Sequence, residues 1–219
     1  MGIKSVLILG ATGRTGRLVV EQALQQGFEV TALVRHPEKL GAWLNHQNLE
    51  ILKGDVLNYP DIFNAVQGND AVVSALGRDG RKIAILDKGT ANIIRAIEHS
   101  RVKKFVCLSS LGAGSTKKLV GWKLKFMIWM AGLRNSFEAK AEQEMLLYQS
   151  SIDFTLVMAS TLTNSNSTKG KGHLSFLPNQ APCFWRTPPK ISRVLVASFL
   201  LDQLMQSAWQ RKTVCLVGA

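Results

Sequence analysis

A chain of 219 residues with 46% hydrophobic composition can bury one substantial core, and its length suits a single domain rather than several. Its formal charge of +12 suits anionic small ligands, an acidic membrane surface or merely a solvated basic surface. Nucleic acid is set aside, because no helix-turn-helix, zinc or RNP-type signature accompanies the basic residues.

The three cysteines, Cys107, Cys183 and Cys215, are widely spaced and form no ligand pattern. They read as reduced thiols of a cytoplasmic protein, with no metal site. The first apolar run, residues 6–9, is too short for the core of a signal peptide, and no stretch has the apolar length of a bilayer span. A monomer is expected.

In chain order, residues 6–9 read as a strand that runs into the turn GATGRTG. A helix over 13–27 follows, with Leu18, Val19, Ala23 and Leu24 at helical spacing and Gly27 as its C-cap. Strands are expected at 29–34, 49–53 and 70–75, then a helix over 88–100 through Ile93, Ile94 and Ile97. A strand at 104–109 leads into 115–134, which is apolar, aromatic and basic together and is predicted helical. A helix over 135–150 and a strand at 154–158 come next. Residues 160–180 are polar and glycine-rich, a loop or small lobe; a helix over 189–205 opens on Pro189, and a strand at 213–217 closes the chain.

This alternation predicts an α/β fold of Rossmann type: a doubly wound parallel sheet of about seven strands with helices on both faces, one domain over 1–219. Segments 115–134 and 160–187 follow carboxyl ends of strands, where open sheets bind ligands, so they are candidate substrate walls.

A strand, a glycine turn and a helix make an anion site. Gly10, Gly13 and Gly16 permit the tight turn and close backbone approach, and the helix start offers free N–H groups. The alternative, an ordinary glycine-rich turn, does not need the strand and helix that flank it. The second strand ends Leu33-Val34-Arg35-His36, with no acid to accept from ribose hydroxyls. Arg35 can hold a 2′-phosphate in a paired contact and Arg14 can close from the turn, which predicts NADP(H). A solvated strand end is the other reading of Arg35, and it leaves the missing acid unexplained.

With GATGRTG, LVRHPEKL, GDVLNYPD, VVSALG, KKFVCLSSLGAG and IDFTLVM in one order, the chain resembles the atypical short-chain dehydrogenase/reductases. Within them it is similar to the NAD(P)H-binding, NmrA-like branch that includes the flavin- and biliverdin-reducing enzymes. The resemblance runs from about residue 3 to 158.

It implies that Gly10, Ala11, Thr12, Gly13, Arg14, Thr15 and Gly16 hold the pyrophosphate and Arg35 the 2′-phosphate. Asp55 and Val56 would flank the adenine; Ala75, Leu76 and Gly77 would pass the nicotinamide ribose; Ser109 and Ser110 would face the nicotinamide and substrate. Met158, at the end of the sixth strand where the family often has Arg-Pro, counts with the cofactor positions. Lys140 stands where the family has its active-site lysine or a histidine.

Most short-chain dehydrogenases use Tyr-x-x-x-Lys, in which the lysine lowers the tyrosine pKa. Here Ser136 precedes Lys140 by four and Phe137 by three. Tyr59 is assigned to a distant loop, and Tyr148 lies more than two turns beyond Lys140. Alcohol–carbonyl chemistry loses its proton donor. Reduction of a flavin or bilin does not need one, since the acceptor can take its proton from solvent. Ser110 is then a donor to the acceptor or else the cap of the following turn. Lys140 supplies charge or else is a solvated helix residue paired with Glu144.

Arg78, Arg81, Lys82, Lys117 and Lys118 could hold propionates or a flavin phosphate, or could belong to solvated loops. Thr161 and Thr163 could reach substrate or stand in an ordinary turn. Residues 119–133, with Trp122 as a substrate-side candidate, allow three readings: a core-facing helix, a pocket lid, or an interfacial helix at a membrane surface. The expected function is an NADPH-dependent reductase of a planar, conjugated, anionic acceptor, a flavin or tetrapyrrole. The alternative is a non-catalytic NADP(H)-binding redox sensor or assembly factor.

Overall fold

The structure, a computed structural model, describes residues 2–77, 84–165, 190–206 and 208–218. Its strands are β1 Ser5–Leu9, β2 Glu29–Val34, β3 Leu49–Lys53, β4 Ala71–Ser74, β5 Lys104–Ser110, β6 Phe154–Ala159, β7 Leu162–Thr163, β8 Ile191–Ser192 and β9 Lys212–Leu216. The α-helices are α1 Arg14–Gln25, α2 Tyr59–Val66, α3 Ala84–Glu98, α4 Trp122–Met130, α5 Arg134–Gln149 and α6 Arg193–Met205. Two 3-10 segments, Pro37–Asn45 and Gly114–Leu119, complete the order.

Seven strands form one sheet in the order β3-β2-β1-β4-β5-β6-β9, each pair parallel. The order reverses between β1 and β4, the switch point of a doubly wound sheet. Because successive strand residues point to opposite faces, Val6 and Ile8 go to one core and Leu7 and Leu9 to the other. Helices α1 and α6 pack together over the first face, while α2, α3 and α5 form a row over the second. Both cores are built of Val, Ile, Leu and Ala, as strands covered on both sides require.

The expected strands all stand, with ends shifted by a residue. Helix α2 is not among the expected elements: Tyr59 opens a helix rather than lying in a loop, and Arg95 of α3 stacks on its ring at 4.3 Å. Helix α6 begins at Arg193, and Pro189 lies outside the described residues, as does Cys183. The polar stretch after β6 starts with the short β7, which pairs with β8; its remainder, 166–189, lies outside them too.

The core-facing reading of 119–133 is overturned. That stretch is the end of a 3-10 segment and then α4, whose Trp122, Phe126, Met127, Trp129 and Met130 are all exposed. Its apolar residues run around most of the helix, and one side of the helix suffices for the contact with the body.

Asp70 ties three strands at their amino ends. Its carboxylate accepts from the Lys4 N–H at 2.9 Å and the Ser5 N–H at 3.3 Å, and from Lys103 Nζ at 3.0 Å. The Lys4 backbone N–H, then Lys103, bring its pKa from 3.8 down to about 2. A lowered carboxylate stabilises the fold above its unfolded pKa and loses that contribution as pH falls through the folded one. Asp70→Asn should therefore cost about 1 kcal/mol at neutral pH. That deficit should shrink in urea titrations carried from pH 3.8 down towards about 2.

Candidate cofactor and active site

The β1–α1 turn is made by glycines that cannot be replaced cheaply. Gly10 adopts φ +79°, and a Cβ on it would lie 2.7 Å from the Ala75 carbonyl oxygen of the neighbouring strand end. A Cβ on Gly16 would run into the Gly10 carbonyl oxygen. The Gly13 N–H donates to that same carbonyl at 2.9 Å and closes the turn. Helix α1 then starts with no side-chain cap and no acid in its first turn, so its leading N–H groups face outwards.

The turn opens onto a groove of about 570 Å³ at the carboxyl edge of the sheet. Its walls come from the turn (Gly10, Thr12, Gly13, Arg14, Thr15), the end of β2 (Arg35, His36, Lys39) and the strand beside β1 (Ala75, Leu76, Gly77). The far end is formed by Ser109 and Ser110 of β5, Lys140 of α5, Leu162 of β7 and Arg193 of α6. A narrow extension shares Gly10, Thr12 and Arg35 and continues to Gly54, Asp55 and Val56. Arg14, Arg35, Lys39 and Arg193 all line the main groove, which has no carboxylate among its described lining residues. Arg193 is held by Asn164 Oδ1 at 2.6 Å. Burial, and then the charge of Arg14, lower its pKa.

Asp55 lines the narrow extension of the groove, next to Gly54 and Val56. Its carboxylate Oδ1 accepts from the Leu57 N–H at 3.0 Å, and its own N–H donates to Asp61 at 2.8 Å. Asp61 thereby fixes the β3–α2 loop, a role invisible without α2.

At the far end of the groove, Ser109 Oγ is buried and has no hydrogen-bond partner among the described residues. Ser110 does not cap the turn that follows. Thr116 does so, accepting from the Gly112 N–H at 2.8 Å and donating to the Ala113 carbonyl at 2.7 Å. Ser110 is thus left facing the groove.

Nor is Lys140 paired with Glu144. That carboxylate accepts from the Ser115 N–H and Oγ at 2.8 and 2.5 Å and from Thr213 Oγ1 at 3.2 Å. Burial brings the Lys140 ammonium down to about 8, opposed by the nearby Cys107, whose own thiol is pushed up to about 12 by burial.

Some expected residues are elsewhere. Met158 is fully buried in the core, paired across from Ser109, and does not line the groove; Ala11 is likewise a core residue behind the turn. Lys117 lines a separate cavity beneath α4, while Lys118 and Trp122 are exposed and line neither. Arg78, with Arg81 and Lys82, lies outside the described residues. Thr163 donates to the Ile191 carbonyl at 3.3 Å, an ordinary strand-pair contact. Neither tyrosine serves the groove: Tyr148 is bonded to Thr213 at 3.0 Å, and Ser136, at the family's tyrosine position, is buried. Arg193, Lys39, Ile85 and Leu162 escape sequence reasoning, because only the folded chain brings them to the turn.

A glycine cradle that a Cβ would fill, a bare helix start and four cations fit a dinucleotide and its phosphates. The fold and groove define a dinucleotide-binding protein of oxidoreductase architecture. The chain belongs to the NAD(P)H-binding family, whose profile matches residues 10–207. It is 33% identical over 224 residues to an uncharacterized chloroplastic protein of Arabidopsis thaliana, covering 98% of this chain and 77% of that one. It is 28% identical over 223 residues to photosystem II assembly factor Ycf39 of Synechocystis, covering 98% of this chain and 62% of that factor.

Among solved structures, a Veillonella parvula short-chain dehydrogenase/reductase in complex with NADP matches with TM-score 0.81 at 14% identity, over 98% of this chain and 94% of that one. ChuY, an anaerobilin reductase from Escherichia coli O157:H7, matches with TM-score 0.79 at 18% identity, over 98% and 97%. These likenesses are of fold.

Arg193 is the test of the groove's assignment. Arg193→Ala should raise the dissociation constant for NADP+ by about tenfold or more in calorimetric titration, the loss of one charge-assisted contact. An unchanged constant would remove Arg193 from the cofactor site.

Proposed function

We propose that the protein is an NADPH-dependent reductase that passes hydride to a planar, conjugated, anionic acceptor such as a flavin or a bilin. The observation that carries this reading is a cationic groove, free of lining carboxylates, whose far end offers Ser109, Ser110 and Lys140 but no tyrosine. Arg35, at the end of a β2 without a terminal acid, favours NADP(H) over NAD(H), with Arg14 and Arg193 as further phosphate partners.

The bound cofactor supplies two electrons as hydride from its nicotinamide carbon to the acceptor, and the matching proton comes from solvent. The residues' task is to hold the two rings together. Ser109, with its hydroxyl buried, shapes the wall beside the nicotinamide end, and Ser110 donates to a polar atom of the acceptor. The Lys140 ammonium stabilises negative charge that develops there, and it does so only while protonated. Met158 keeps its core position and acts only by shaping β6.

The fold shared with the anaerobilin reductase of Escherichia coli agrees with a tetrapyrrole acceptor. A second reading, a non-catalytic NADP(H) sensor or assembly factor, draws on the missing tyrosine and on the relative named as an assembly factor. Free Cys107 and Cys215 suit a reducing compartment, the cytoplasm or, as for the Arabidopsis relative, a plastid.

NADPH oxidation followed by absorbance, with FMN, riboflavin and biliverdin offered in turn, separates the two readings. A reductase should turn over well above the uncatalysed rate and slow on the order of 10-fold or more in Ser110→Ala. Tight NADP+ binding without turnover on any acceptor would leave the sensor reading standing. Arg35→Asp should weaken NADPH roughly 100-fold and NADH by only about threefold, whereas equal losses would sink the cofactor preference. Turnover should fall as pH rises through about 8, where Lys140 loses its proton, and Lys140→Met should abolish that limb.

A further inference from the structure

Helix α4 presents a surface that the cofactor groove does not use. Trp122 is 67% exposed, Phe126 55%, Met127 60%, Trp129 61% and Met130 64%. Five of the nine large hydrophobic residues exposed among the described residues thus lie on one nine-residue helix. At about 100° per residue these five fall within an arc of roughly 160°, and Ile128 points the opposite way. There it lines a cavity of about 360 Å³ with Phe137 and the glycine turn after β5, and Lys125 and Trp129 border the same cavity. The helix therefore has a cavity under its inner side and is bare on its outer side.

The charge around this face has one sign. Residues 114–133 hold four lysines, Lys117, Lys118, Lys123 and Lys125, and no acidic residue, and Arg134 follows immediately. Lys123 lies 5.9 Å from the Trp122 ring, its position on the helix falling inside the arc between Met130 and Met127. The first acid beyond is Glu138, which is engaged by Arg134 at 2.9 Å.

We propose that α4 is a membrane-docking helix that lies in the interface of an anionic lipid bilayer. Its aromatic and methionine side chains would enter the headgroup–acyl boundary, and its lysines would pair with lipid phosphates. Tryptophan at the interface, lysines that reach out along their stems, and the absence of acid are the features such a surface selects. A second copy of the chain is a poor occupant, since a two-fold pairing of this face would set like charges against one another. A groove on a protein partner would take a narrower apolar stripe than this arc. The helix follows the carboxyl end of β5, the sheet edge at which the cofactor groove opens, so docking would bring that edge near the lipid. This inference does not depend on the reductase reading.

The test is flotation of the full chain with vesicles of phosphatidylcholine, alone or with about one-third phosphatidylglycerol. The expected result is partitioning at least about tenfold stronger onto the anionic vesicles, reversed by high salt. It should drop by about tenfold or more in Phe126→Glu/Trp129→Glu and in Lys123→Glu/Lys125→Glu. All four positions are exposed, and NADP+ binding retained by both variants would show that they fold. No preference for anionic vesicles, or binding untouched by both double substitutions, overturns the proposal. So does dimerisation in sedimentation that Phe126→Glu/Trp129→Glu abolishes while nothing floats, which assigns the face to a second copy. Capture of the chain by an immobilised acidic peptide without flotation also overturns it, in favour of an acidic protein partner.

Discussion

The rest of the site depends on a backbone contact in which three chain segments meet with no room for a side chain. The Gly10 carbonyl receives the Gly13 N–H, lies against Gly16, and holds the turn hard against the end of β4 at Ala75. Because the turn is so flat, α1 starts directly over the switch point of the sheet, and its free N–H groups aim along the groove. Arg35, Asp55 and Ser110 sit at or just beyond the carboxyl ends of parallel strands on the two sides of that switch point. Their spacing along the groove is therefore set by the spacing of the strands.

Electrostatics complements that frame. Arg14 comes from the turn, Arg35 and Lys39 from beyond β2, and Arg193 from the opposite helical layer, so the cations surround the groove from separate elements. Each element is anchored independently: Arg193 by Asn164, and the segment carrying Lys39 by Arg17, which donates to the Lys39 carbonyl at 2.6 Å. On the other side, Glu144 links the turn after β5 to α5 and β9. Glu144 thus ties the segment that follows Ser110 to the helix that carries Lys140.

The parts of this arrangement that arise locally are readable in the sequence. The strand–glycine–helix unit, the missing acid after Val34 and the βα alternation depend on neighbours in the chain, and all of them appear as expected. Helix α2 escapes because Asn58-Tyr59-Pro60 resembles a turn, although a proline in a first helical turn is well tolerated. Arg193 escapes because its importance comes from facing Arg14, which lies 179 positions earlier in the chain. The place of Met158 at a strand end suggests a cofactor contact, but strand alternation turns it into the core beside Leu156 and Cys107. The segment 119–133 misleads for a general reason: an apolar composition says that a helix seeks a nonaqueous contact but not whether the chain itself provides it.

The facing of Arg14 and Arg193 also affects how long the molecule survives. The charge of Arg14 acts against that of Arg193, and an anion bound near both would relieve this repulsion. Any ligand bound only by the native state adds to that state's stability with the logarithm of its concentration. The resistance of this protein to heat and to proteolysis is therefore tied to the surrounding dinucleotide pool. A cell that runs short of the cofactor would lose the protein by degradation as well as its occupancy.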